Sequence, residues 1–150
     1  MELIVGFVFS FLATWGFGII TNVPRRTLLA SALTGGVAWT AYLLLEKVTS
    51  NLVLPNLGAA LLIGFLANVS AVKLKTPVNI MYVPCLVSLV PGAIIYKTMK
   101  SFALGDSRAA QGYLVEALTV AVSLALGFLL AETLINRLRT LLKEKKKTVS

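Results

Sequence analysis

Five long apolar blocks constrain this chain more than any other feature. They run over about residues 3–21, 27–45, 52–72, 78–104 and 113–135, each near the ~20 residues with which a helix crosses ~30 Å of hydrocarbon. The apolar residues are gathered into blocks instead of alternating with polar ones, the pattern of an integral membrane protein. Composition agrees: 57% of the 150 residues are hydrophobic and 13% charged, where a soluble domain carries about 25% charged residues, and the mean hydropathy is +0.87. The connectors "NVPRR", "EKVTSN", "KLKTP" and "GDSRAAQG" are short, so neighbouring helices should return antiparallel. The expectation is an all-α polytopic membrane protein, one transmembrane domain over residues 1–150 built as a five-helix bundle. The opening "MELIVGFVFS" has Glu2 where a signal peptide carries basic residues, and it reads as the first span.

Lys and Arg are retained on the cytoplasmic side of a membrane. With the N-terminus outside, the inner segments hold Arg25, Arg26, Lys73, Lys75, Arg137, Arg139, Lys143, Lys145, Lys146 and Lys147, and the outer ones Lys47, Lys97, Lys100 and Arg108. This bias assigns N-out, C-in, with residues 136–150 as a basic cytoplasmic tail. The tail carries most of the net charge of +8. It has no aromatic or motif context for nucleic acid and reads as topogenic.

Several chemistries are unsupported. The chain has no histidine and a single cysteine, Cys85, so an internal disulfide is excluded and a metal cluster has no ligand set; no cofactor is expected. No G-x-x-x-x-G-K-[ST] run occurs, so this chain does not itself hydrolyse ATP. Ser88 and Lys97 are nine residues apart, on opposite faces of a continuous helix, and out of reach as a nucleophilic pair. An enzyme is not expected.

Small and hydroxyl side chains recur at every fourth residue in three blocks: Gly6, Ser10, Thr14, Gly18 and Asn22 in the first, Ala32, Gly36 and Thr40 in the second, and Ala60, Gly64 and Asn68 in the third. Such stripes let helices approach closely, and they also suit the lining of a solute path. Three of them suggest more packing surface than one small bundle uses, hence a homo- or hetero-oligomer. Glu116 and Glu132 lie sixteen residues apart, ~24 Å along a helix. They fit opposite interfaces, with Glu116 in the first turn after Gly112 where the helix dipole favours an anion, or one of them serves proton coupling.

The fourth block, "PVNIMYVPCLVSLVPGAIIYKTMK", carries Pro77, Pro84 and Pro91, with Gly92 following the last. Proline inside a helix removes a donor and costs ~3 kcal/mol. The residues allow a kinked span, since a spacing of seven keeps the prolines near one face, or a break at Pro91–Gly92. A break would leave the first amides of the second half unpaired, an arrangement with which membrane transporters hold carboxylates. Lys97, ~9 Å beyond Pro91 along the helix, either draws anions toward that place or snorkels to the outer interface.

"NVPRRTLL", Asn22 to Leu29, and "SLVPGAIIY", Ser88 to Tyr96, together resemble the small, second-half subunit of the threonine/serine exporter family, over essentially the whole chain. Asn22, Pro24, Arg26, Pro91, Gly92 and Tyr96 match that family's motif positions. Ser88 stands where the family's P-x-x-P-G motif has its first proline. The resemblance implies a five-span subunit in a bacterial inner membrane, working with a larger homologous five-span subunit that has a cytosolic N-terminal region. It implies export of threonine and serine, or of a dicarboxylate such as succinate, with Ser88 and Tyr96 offering hydrogen bonds and Asn22 and Arg26 at the cytoplasmic mouth. The alternatives are a non-transporting assembly subunit and a substrate-capture subunit of an importer.

Overall fold

A computed structural model describes residues 1–148, with side chains through residue 141; Val149 and Ser150, the end of the expected tail, lie outside the described residues. The described residues form six helices: α1 Glu2–Ile20, α2 Arg25–Val48, α3 Val53–Leu74, α4 Val78–Leu86, α5 Gly92–Ala103 and α6 Ser107–Thr148. Four of them, α1, α2, α3 and α6, are long and apolar enough to cross a membrane.

The prolines punctuate this order. Pro24, Pro77 and Pro91 stand immediately before α2, α4 and α5, and Pro55 lies in the first turn of α3, where a missing amide hydrogen costs nothing. Only Pro84 is inside a helix. The fourth apolar block is therefore two helices of 9 and 12 residues, ~13 and ~18 Å long, and neither crosses ~30 Å alone. Pro91 supplies the reason for the break. It has no amide to continue the ladder, and its ring drives Val90 out of the helical region. The chain beyond Leu86 closes with tight turns, Leu89 N and Val90 N both donating to the Leu86 carbonyl.

At the other end of α5, Gly105 takes a positive φ of 79°, and Asp106 then caps α6 by accepting from Ala109 N at 3.0 Å. This Gly–Asp pair starts α6 at Ser107, six residues before the expected boundary. Glu116 consequently lies in the third turn of α6, not the first, and the dipole argument for it does not apply. The 42 residues of α6 span ~63 Å, and the basic segment from residue 136 continues this helix through Thr148.

α1 packs on α2, α2 on α3, and α3 on α6, while α4 contacts α1, α2 and α3, and α5 contacts α6. The small residues set these approaches. Ser10, Thr14 and Gly18 are buried against α2, where Thr14 meets Gly35 and Leu28 covers Gly18. Gly36 lies under the Phe7 ring, and Gly64 and Gly127 bring α3 and α6 together through Ala131 and Ala60. All three stripes meet helices of the same chain, so they do not by themselves call for a partner. Asn22 has left the helix for a left-handed turn, φ 55°. A core of Ala38, Ala59, Ala60, Ile63, Cys85, Leu89, Val120 and Leu124 joins α2, α3, α6 and the break.

A Cβ on Gly64 would overlap that of Ala131, whereas one on Gly16 or Gly112 meets nothing within 4 Å. Gly64→Leu should therefore destabilise the α3–α6 contact by about 1–3 kcal/mol, and Gly16→Ala should not. Thermal unfolding in detergent checks both.

Candidate functional site

The break between α4 and α5 opens onto a cavity of about 220 Å³. This exceeds the ~10–15 Å³ that admits one water and falls below the ~300–1,000 Å³ of sites for drug-sized ligands. Ser88 to Ile94 form one wall; Trp39 and Tyr42 from α2, Leu52 and Asn56 from the start of α3, and Val120 from α6 complete it. Trp39 and Tyr42, three apart on one helix face, stack with ring centroids 5.0 Å apart.

Polar groups converge on this space. Ser88 Oγ is hydrogen-bonded to Ser10 Oγ at 2.8 Å, and Ser10 donates to the Gly35 carbonyl at 3.1 Å, so the unwound segment is tied to both α1 and α2. Asn56 is buried and donates Nδ2 to the Leu52 carbonyl at 2.7 Å, while its Oδ1 has no donor among the described residues. Gly92 N donates to the Val90 carbonyl and Ile95 N to that of Pro91. Ala93 and Ile94, next to each other in the wall, have no backbone acceptor of this kind, and α5 has no side-chain cap. The residues around the cavity thus include two whose amides have no acceptor among the described residues, a buried asparagine whose amide oxygen has no donor among them, a serine hydroxyl and an aromatic pair.

A more open recess of about 530 Å³ shares Tyr42 and Leu52 with this cavity and reaches Glu46 and Asn51. Tyr42 Oη donates to Glu46 Oε1 at 3.3 Å. In the opposite direction, one turn beyond the Ser10–Gly35 hydrogen bond along α1 and α2, Thr14 Oγ1 and Ser31 Oγ are buried without a partner among the described residues, and Cys85 Sγ donates to the Ser31 carbonyl at 3.3 Å.

Of the residues singled out in the sequence, Ser88, Pro91 and Gly92 line the cavity and Ser10 reaches it through Ser88. Tyr96 is 68% exposed; Lys97 stands 5.8 Å from the centre of the Tyr113 ring, and neither is in the wall. Asn22 and Arg26 are exposed at the turn between α1 and α2; Arg26 and Tyr42 are sixteen residues, ~24 Å, apart along α2. Glu116 is half-buried and Glu132 exposed, and neither lines the cavity. Trp39, Tyr42 and Asn56 belong to none of the small-residue stripes, so periodicity does not mark them. Asn56, a lone amide directly after Pro55 in an apolar block, was the available signal.

A polytopic helical membrane protein with a cavity at an interrupted helix has the arrangement in which many secondary transporters build their substrate sites. A family model described as "Threonine/Serine exporter, ThrE" matches residues 6–134, well over half of the chain, and the protein belongs to this family of transporters, which are not enzymes. No curated protein and no solved structure gives a match.

Cys85 is the single cysteine and is 1% exposed, so it should react slowly with thiol reagents. Ala93→Cys should be labelled by a small water-soluble maleimide at least about tenfold faster than the unaltered chain. Equal rates would place the cavity out of contact with water.

Proposed function

We propose that this chain is a subunit of a secondary exporter of small carboxylate-bearing metabolites, threonine and serine or a dicarboxylate such as succinate. The observation that carries the reading is the cavity at the break, walled by α5 amides that lack acceptors. A substrate carboxylate binds the amides of Ala93 and Ile94, helped by the positive end of the α5 dipole, and Ser88 adds a hydroxyl. Asn56 Oδ1 accepts from the ammonium of an amino acid. Pro91 keeps the site open by preventing α4 and α5 from joining.

In the membrane, α4 and α5 together make the crossing that no single helix of this block makes, giving five spans with the N-terminus outside and the C-terminus inside. The recess beside Glu46 then leads outward. Thr14 and Ser31 continue the polar line toward the cytoplasmic mouth at Asn22 and Arg26. The chain works in a bacterial inner membrane with a larger homologous subunit that has a cytosolic N-terminal region, and an ion gradient drives export. Glu116 and Glu132 are the carboxylates available for proton coupling. Tyr96 and Lys97, exposed on α5, face lipid or the partner subunit.

A Cβ on Gly92 would meet nothing within 4 Å, and its φ is not positive, so a larger residue at this place in the cavity wall does not strain the fold. Gly92→Leu, co-reconstituted with the larger subunit, should lower threonine, serine and succinate efflux at least about tenfold with its melting temperature unchanged. Full efflux from the folded variant refutes the assignment of the site. Asn56→Leu should weaken transport of threonine more than that of succinate, by about 1–3 kcal/mol of differential binding, read as the ratio of the two half-saturation concentrations.

A further inference from the structure

A second recess, of about 280 Å³, lies between α3 and α6, away from the cavity at the break. Its walls are apolar: Phe65, Val69 and Val72 descend α3 at helical spacing, and Ile135 and Leu138 face them from α6. From Phe65 to Val72 the strip is ~10 Å long. One end of it carries two cations, Lys73 directly after Val72 and Arg139 directly after Leu138. Neither forms an ion pair with a carboxylate among the described residues. Arg139 is instead held in place by Asn68, whose Oδ1 accepts from Nη2 at 3.2 Å, and Asn68 itself donates to Tyr82 Oη at 2.6 Å. The guanidinium is thus steadied by a neutral amide, and no carboxylate among the described residues pairs with it.

An apolar trough ending in two cations that have no carboxylate partner among the described residues fits a molecule with a hydrocarbon tail and an anionic head. Both walls belong to candidate membrane spans, and Phe65, Val72 and Leu138 are half exposed or more, so the trough opens sideways, where acyl chains surround the protein. We infer that this recess is a binding site for one anionic phospholipid, its acyl chain along Phe65, Val69 and Val72 and its phosphate on Lys73 and Arg139. Arginine matches phosphate geometry with paired donors, and basic recesses between spanning helices select anionic head groups. Because Asn68 links Arg139 to Tyr82 on α4, the bound head group bears on the half-helix that ends at the break.

Native mass spectrometry of the purified protein with phosphatidylglycerol or phosphatidylcholine of identical acyl chains tests this. The protein should retain one phosphatidylglycerol at least about fivefold more strongly than phosphatidylcholine. Lys73→Gln combined with Arg139→Gln should abolish the preference, and Lys97→Gln with Lys100→Gln should leave it intact. Val72→Trp, which fills the trough and keeps both cations, should also reduce retention, and it decides the matter if the double variant does not fold. Equal retention of the two lipids, an unchanged preference in the folded variants, displacement by millimolar inorganic phosphate, or a change in oligomeric mass in place of lipid loss would each overturn the inference.

Discussion

A backbone amide in hydrocarbon has to find its acceptor within the protein, and the whole structure follows from where that rule is kept and where it is suspended. Four helices satisfy it along their length. At Pro91 the chain cannot, because proline supplies no amide and displaces Val90 from helical geometry. The backbone amides and carbonyls of residues 87–94 must be enclosed by protein or wetted; the cavity framed by α2, α3 and α6 lies against this segment, and Val90, Gly92 and Ala93 are exposed. Site and break are one feature: the residues that interrupt the helix also line the space that the interruption needs.

Holding such a segment in place calls for close neighbours. Ser10 fixes Ser88 from α1, Cys85 and Leu89 enter the same core as Ala59, Ala60 and Ile63, and the α3–α6 contact closes through glycine and alanine. Small residues act here as Leu does in a soluble core. With lipid as apolar as any side chain, what stabilises helix contacts is dispersion at short range, and short range requires the absence of side chains. Lys47 and Glu2, paired at 2.7 Å and both exposed, contribute little beside this.

The helical class, the approximate extents of α1, α2 and α3 and the place of the break were legible in the sequence, since run length and proline are local signals. The register of α6 was not. Gly105 and Asp106 form a stop and a cap that the apolar pattern does not reveal, and with α6 starting at Ser107 Glu116 falls in the third turn instead of the first. The site was half legible. Ser88, Pro91 and Gly92 announce themselves by the breaker pair, but Trp39, Tyr42 and Asn56 reach it from two other helices, and such long-range pairing has no trace in local periodicity. Tyr96 and Lys97, adjacent in sequence to the break, were carried outside the cavity wall by the helix that restarts between them and Pro91.

Hydrogen exchange of the protein in a lipid bilayer tests the central claim most directly. If the fourth block is interrupted and opens onto a wet, ligand-binding cavity, the amides of residues 87–94 exchange much faster than those of 57–67 in α3, and saturating threonine slows them. Uniform protection from residue 78 to residue 103, unchanged by threonine, would mean a continuous helix and would contradict it.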